Sequence, residues 1–328
     1  MGPAGATHPV KAALTVAHPA GARFSRDDPH LNHWRAVGLM LLTVGCFSAL
    51  DTLAKVAIAF APVAQVVWVR YAVQAAMMSL WWAIWLRPSH GLRFFRTVHP
   101  RFHLVRALLL IGCTVVTFVG LRYMPVGEFT AVAFLAPMIA MLLSGWLLKE
   151  HVTAPHWWMA ALSFTGALIV IRPGADVFGW AVLFPMALAT VNALYQLITR
   201  RLATADEHPV FAQWISGCVG AVVAGLALLW PATWAGDLGA AQWGILLSVG
   251  LFGTLGHFFF MKAVALETAA ALAPYTYVQI AFAMAAGWLV FSHTPDGWAV
   301  TGMLVIGMSG FAAGALRARR TAATRPAH

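Results

Sequence analysis

Ten stretches of about 20 mostly apolar residues, joined by short polar or proline-containing turns, constrain this chain more than any other feature, because each is long enough to cross a bilayer. They fall near residues 34–57, 62–86, 103–121, 126–148, 153–171, 178–199, 210–230, 241–264, 268–291 and 297–316. Pro62, Pro125 and the region of Glu267 mark the tightest joins, since merging either side would make a helix too long for a membrane. With 61% hydrophobic and 10% charged residues the chain is far from a soluble domain, which carries about 25% charge. The predicted fold is an all-α integral membrane protein with ten transmembrane helices.

The formal charge of +10 suggests nucleic acid only until the basic residues are placed. Lys11, Arg23, Arg26, Arg35, Arg87, Arg93, Arg96, Arg101, Arg106, Lys149, Arg200, Arg201, Lys262, Arg317, Arg319, Arg320 and Arg325 all fall on one side if the N-terminus is cytoplasmic, whereas the other side receives Arg122 and Arg172. This asymmetry predicts a multi-pass inner-membrane protein with both termini in the cytoplasm and no nucleic-acid partner. Residues 1–33 read as a disordered cytoplasmic tail without a signal peptide, and 317–328 as a basic cytoplasmic tail. Cys46, Cys113 and Cys218 lie within predicted spans without metal-binding spacing, so no disulfide and no metal site is expected.

The sequence also repeats at an offset of about 140 residues. Residues 120–151 parallel 260–293: Arg122 answers Lys262, Gly145-Trp146-Leu147 answers Gly287-Trp288-Leu289, and His151 answers His293. Pro62-Val63 likewise answers Pro209-Val210. Five helices per half is an odd number, so the second half enters the membrane inverted. The predicted units are therefore 34–171 and 178–316, two inverted five-helix repeats of the kind that rock around a midplane site.

Three segments, Ser48–Lys55 with Arg70 downstream, 121–150 and 273–291, make the chain resemble the drug/metabolite transporter superfamily, in its ten-helix form with two EamA-like halves. The resemblance covers residues 34–316, and within the superfamily the chain is similar to a branch that includes S-adenosylmethionine uptake proteins, whose relatives carry several other metabolites. It implies alternating-access transport of a small organic metabolite such as an amino acid, amine or nucleoside-like compound, with no cofactor. One departure is that the acidic residue that often closes the fourth helix is present in the first half as Glu150, whereas the second half has His293.

Ser48, Asp51, Thr52 and Lys55 follow i, i+3, i+4, i+7 spacing and form one polar stripe on an apolar helix. Lipid cannot solvate such a stripe, so it faces protein or a wet cavity. From the helical rise, Asp51 lies about 7 Å and Lys55 about 13 Å outside the midplane, with Arg70 on the next helix at about 6 Å. Asp51 and Arg70 thus share a level. They either bind an anionic and a cationic substrate group or pair to lock two helices; Asp51 is also a candidate for proton exchange, and Lys55 either pairs with Asp51 or snorkels outward. Asn192, Tyr195, Gln196 and Thr199 repeat the stripe without charge, as a ligand-facing surface or an interhelical seam. In the ninth helix Pro274 predicts a kink that would present Tyr275, Tyr277 and Gln279 to a cavity. His257 is a second proton-coupling candidate. Thr114 and Thr117 read as residues that bond their own helix backbone, and Glu128 as a helix-dipole partner.

An enzyme is the competing class, but the sequence has no HExxH, no GxSxG, no phosphate-binding glycine loop and no Cys/His cluster. A flippase for a lipid-linked small molecule stays open as the alternative. The expected partners are a small-molecule substrate and the lipid bilayer, with the chain acting as a monomer or homodimer.

Overall fold

The computed structural model describes residues 29–86, 97, 99–147, 154–172, 178–202, 209–266, 272 and 275–323. Among these there is no strand. The helices are α1 (Pro29–Ala57), α2 (Val63–Trp81), α3 (Pro100–Gly120), α4 in two segments (Val126–Ala133 and Ala136–Leu147), α5 (Ala154–Ile171), α6 (Leu183–Leu202), α7 (Pro209–Ala227), α8 (Ala240–Leu266), α9 (Val278–Phe291) and α10 (Gly297–Ala323). Pro62 and Pro125, with ψ of 143° and 152°, hold the backbone extended before α2 and α4, so both tight joins lie where proline requires them. Five helices each contain an apolar stretch long enough to cross a membrane.

α4 is broken in two, where the sequence predicts one continuous span over 126–148. The first segment stops at Ala133, the residue whose carbonyl would accept a bond from Pro137, and Pro137 has no N–H to give. It then occupies the first turn of the second segment, where a missing N–H costs nothing. Leu135-Ala136-Pro137 recurs as Leu272-Ala273-Pro274, and α9 is helical from Val278 after a turn at Tyr277. Pro274 itself lies outside the described residues, as do Arg87, Arg93, Arg96, Lys149, Glu150, His151, Glu267 and the extreme tails. Phe134, at the break of α4, meets the Tyr277 ring at 5.1 Å, so the two interrupted helices touch where they are interrupted.

Helix contacts come in symmetric pairs. Mapping α1–α5 onto α6–α10 exchanges α1·α8 with α6·α3, α2·α8 with α7·α3 and α1·α9 with α6·α4, and leaves α2·α7, α4·α9 and α5·α10 in place; all of these interfaces are present. Every one joins the two halves, so the repeats are interleaved. Small residues permit the closest approaches: a Cβ on Gly217 of α7 would come within 2.8 Å of the Ala75 backbone nitrogen on α2, and Gly166 of α5 lies directly against Gly302 of α10. A bond between Ser163 and Ser309 adds to the α5–α10 seam.

The polarity is inverted relative to a soluble bundle. Leu42, Leu80, Leu104, Leu162, Leu226, Leu247, Leu289 and Met308 are exposed on the perimeter, while Arg70, Arg106, Gln74, His103 and Glu128 are buried. Trp34, Trp85, Trp158, Trp230 and Trp298 are exposed near helix ends, at positions suited to an interfacial belt.

Candidate functional site

Arg70 is the starting point because its guanidinium is buried in the middle of α2. Its Nη1 donates to Thr114 Oγ1 on α3 at 2.7 Å, and the Tyr71 hydroxyl shares that same oxygen at 2.8 Å. Thr114 also donates to its own helix at Leu110, so the predicted backbone bond exists, but the hydroxyl has a second use as the hub that orients Arg70. Arg70 Nε is buried without a hydrogen-bond partner, and it faces Gly253 of α8, where a Cβ would lie 3.3 Å away. Glycine leaves that side of the guanidinium open.

Neither predicted pair forms. Among the described residues no ion pair within 4.0 Å joins Asp51 to Arg70 or to Lys55. Asp51 feels the Arg70 charge from beyond that distance, is half-buried, and has no hydrogen bond among the described residues. Lys55 does not snorkel outward. Its Nζ donates to the Met124 carbonyl and sits 5.4 Å from the Phe291 ring centre. The two carboxylate–cation arrangements fail for one reason: Thr114 and Met124 lie on elements far along the chain, and α3 and the α3–α4 turn reach the cations first.

Arg106 is a larger correction, because the charge pattern had placed it among the cytoplasmic connections. It lies in the second turn of α3, buried, and donates to Tyr195 Oη (2.7 Å), Thr199 Oγ1 (3.1 Å), Ser216 Oγ (2.9 Å) and the Ala212 carbonyl (2.9 Å). Half of the uncharged stripe on α6 is thereby a seam around Arg106. Asn192 and Gln196, the other half, make no hydrogen bond among the described residues; Asn192 is half-buried and Gln196 exposed.

Below Arg70, one turn along α2, Gln74 donates to the Gln213 carbonyl and side chain of α7 at 3.0 and 3.2 Å. With Met78, Thr254, His257, Phe258 and Met261 these residues line a narrow crevice with no room for a water molecule. His257 is half-buried, meets the Phe47 ring of α1 edge-on at 5.0 Å, and feels the Arg70 and Arg106 charges. Gln74 and Gln213 had escaped notice; the signal for Gln74 is its spacing of four from Arg70, which puts both on one face of α2. On α9, Tyr277 is buried in a separate apolar cluster with Ile280, Ala131 and Ile306, its ring flat on Gly310 of α10. Tyr275 and Gln279 are half-buried, and Tyr275 meets His33 of α1 at 6.5 Å.

A second polar cluster lies at the end of the molecule that carries the α1–α2 turn. Glu128, in the first turn of α4, is buried, and its Oε1 lies 2.9 Å from His293 Nε2 beyond α9. His293 is placed by the way α9 stops: Ser292 adopts the left-handed conformation (φ 53°), and the His293 N–H turns back to the Gly287 carbonyl at 3.1 Å. Asp296 and Arg172 pair nearby at 2.6 Å.

Buried cations on interleaved inverted repeats, with two interrupted helices meeting at their breaks, define a multi-pass membrane transporter. The EamA-like transporter family model matches residues 34–172 and again 179–312, and the chain belongs to that family. It is 30% identical to a riboflavin transporter of Rhizobium johnstonii over 66% of this chain and 70% of that one. It is 28% identical to an S-adenosylmethionine uptake transporter of Rickettsia conorii (66% and 72% covered) and 26% identical to the pseudopaline exporter of Pseudomonas aeruginosa (82% and 92%). A crystal structure with 18% identity shares the fold over 90% of this chain and 99% of its own, with a TM-score of 0.59. Family and relatives are small-molecule transporters rather than enzymes.

Proposed function

We propose that this protein is an inner-membrane secondary transporter that carries a small organic metabolite with an anionic group by alternating access, with both termini in the cytoplasm. The observation that carries the reading is Arg70: a buried cation with one hydrogen bond to Thr114, a bare Nε, and no carboxylate within ion-pair distance among the described residues. A charge held in that state costs several kcal/mol unless an anion arrives to complete it. Arg70 receives the anionic group of the substrate; Asp51, close enough to feel that charge and otherwise unbonded, receives a cationic group or exchanges a proton. Asn192, Tyr275 and Gln279, all half-buried, are the uncharged groups that meet the substrate as the helices part, the exposed Gln196 lies outside that path, and Tyr277 positions the α9 break from behind. His257 stands beside the crevice as a second proton carrier.

The crevice has no room for even a water molecule, far short of the roughly 300–1,000 Å3 of a typical small-molecule pocket, so admitting a substrate requires the helices to part. One chain holds both halves of the site, and a monomer suffices. The relatives supply the first ligands to try. Purified protein in detergent is heated with riboflavin, S-adenosylmethionine, pseudopaline and a panel of amino acids, since a ligand that binds only the folded state raises its melting temperature. Stabilisation that disappears in Arg70→Gln and Asp51→Asn supports the site. Stabilisation untouched by both substitutions overturns it and moves the pocket toward α6 and α9.

A further inference from the structure

The polar cluster at the α1–α2 end is not needed to bind a substrate at Arg70, yet it holds a carboxylate in an unusual position. The Glu128 side chain is only 3% exposed, its Oε2 has no hydrogen-bond partner, and its Oε1 contacts His293, whose side chain is 39% exposed. The pair thus forms a two-step path from solvent to a buried oxygen. It also bridges the repeats, since α4 belongs to the first half and α9 to the second. Lys55 at the end of α1 feels the Glu128 charge while bonded to Met124, so three helix ends converge on one anion.

We propose that Glu128, reached through His293, is a proton-binding site of the transporter, and that loading it releases the ends of α1, α4 and α9 from one another; this rests on the transporter reading above. The proton passes from solvent to the imidazole, and from Nε2 to Glu128 Oε1. A neutral carboxyl and a neutral imidazole remain, and no electrons change hands. Lys55 then loses the counter-charge it feels, since Asp51 one turn before it lies beyond ion-pair distance, and the link between halves weakens. Buried Asp, Glu and His chains in membrane helices serve as proton relays for this physical reason.

The neighbouring charges do not supply a substitute. Arg172 on α5 and Asp296 before α10 pair with each other, and Arg122 in the α3–α4 turn donates to the Ile58 carbonyl at 3.4 Å. The described part of α6 packed against α4, residues 183–199, carries no charged side chain. Strain is concentrated here as well: among the described residues Arg172 and Ser292 are the non-glycine positions with positive φ, and both end helices at this face. The repeat carries the same residue types in exchange, Glu267 shortly after Lys262 and His151 after Gly145-Trp146-Leu147, although these two lie outside the described residues.

Two substrate-free measurements on the purified protein test the proposal, so their failure is separable from failure of the ligand panel. Infrared difference spectra between about pH 8 and about pH 5, the interval in which histidine changes charge, should show a buried protonated-carboxyl band in the wild type. Glu128→Gln should lose that band, and His293→Asn should shift its midpoint. In a background with Cys46, Cys113 and Cys218 replaced by alanine, Ala131→Cys, one turn deeper than Glu128, should react with a small cationic thiol reagent at least about tenfold faster at the acid end, the rate signature of a 1.4 kcal/mol shift. Adding Glu128→Gln should make that rate fast at both pH values. An unchanged carboxyl band in Glu128→Gln, or labelling indifferent to pH, overturns the proposal.

Discussion

Arg70 and Arg106 are both buried guanidinium groups on adjacent helices of the first half, but their surroundings differ. Arg106 spends four N–H bonds on Tyr195, Thr199, Ser216 and Ala212, tying α3 to α6 and α7 of the other half. Among the described residues Arg70 has one hydrogen bond, to a threonine on its own half, the Tyr71 ring centre 4.6 Å from its guanidinium, and a bare Nε. Burial of a charge is therefore a poor guide to function in a membrane bundle. Hydrogen-bond satisfaction separates a charge that holds the scaffold from one left open for a ligand.

The largest effect should follow from breaking the saturated member. Arg106→Gln removes charged bonds worth about 1.5–3 kcal/mol each and leaves Tyr195, Thr199 and Ser216 without their shared donor, so the expected loss is at least about 3 kcal/mol, with a sharply lowered melting temperature in detergent. A melting curve that matches wild type would erase the distinction between the two arginines.

Arg70→Gln should divide differently. The one lost charged bond, about 1.5–3 kcal/mol, is offset in part by removal of an uncompensated buried charge, so stability falls by about 1–2 kcal/mol at most, while ligand affinity falls at least about tenfold. Equal losses in both variants would make Arg70 scaffold too. A smaller effect, of opposite sign, is expected at Ser292→Gly. The left-handed φ of 53° is natural for glycine and strained for serine, so stability should rise by about 0.5–1 kcal/mol. A fall would show that the turn positioning His293 depends on the serine side chain.

The smallest effect belongs to the exposed pair. Asp296 is held below the usual carboxylate range by the Ala299 N–H, then by Arg172. A depressed folded-state value means its contribution is present above the unfolded value and disappears as pH falls through the folded one. Asp296→Asn keeps the helix cap and loses the charge, so its melting temperature should lie slightly below wild type near neutrality and meet it at acid pH, where Asp296 itself is protonated. A large shift at neutral pH would mean that the α5–α10 end is a structural lock.

Much of this was legible in the chain. The ten apolar runs, their proline joins at Pro62 and Pro125 and the resemblance between halves follow from local rules, since helix length and proline geometry do not depend on what packs nearby. Arg70 and Asp51 stood out as polar groups at membrane depth. What was misread were the partners. Arg106 sits near a predicted membrane edge, and position alone cannot distinguish an orientation charge from a buried one. Glu128 looked like a dipole cap because His293 is 165 residues away and arrives only through α9.

The sequence by itself determined the membrane helices, their joins at Pro62 and Pro125 and the two-repeat plan, because lipid demands internally satisfied backbones and proline enforces its own geometry. Tertiary structure alone decided which polar side chains are satisfied and which are left open. That follows from interleaving: Arg70, Gln74, Arg106 and Glu128 are bonded, or left bare, by residues of helices far along the chain, and a one-dimensional pattern contains no record of which helix arrives there.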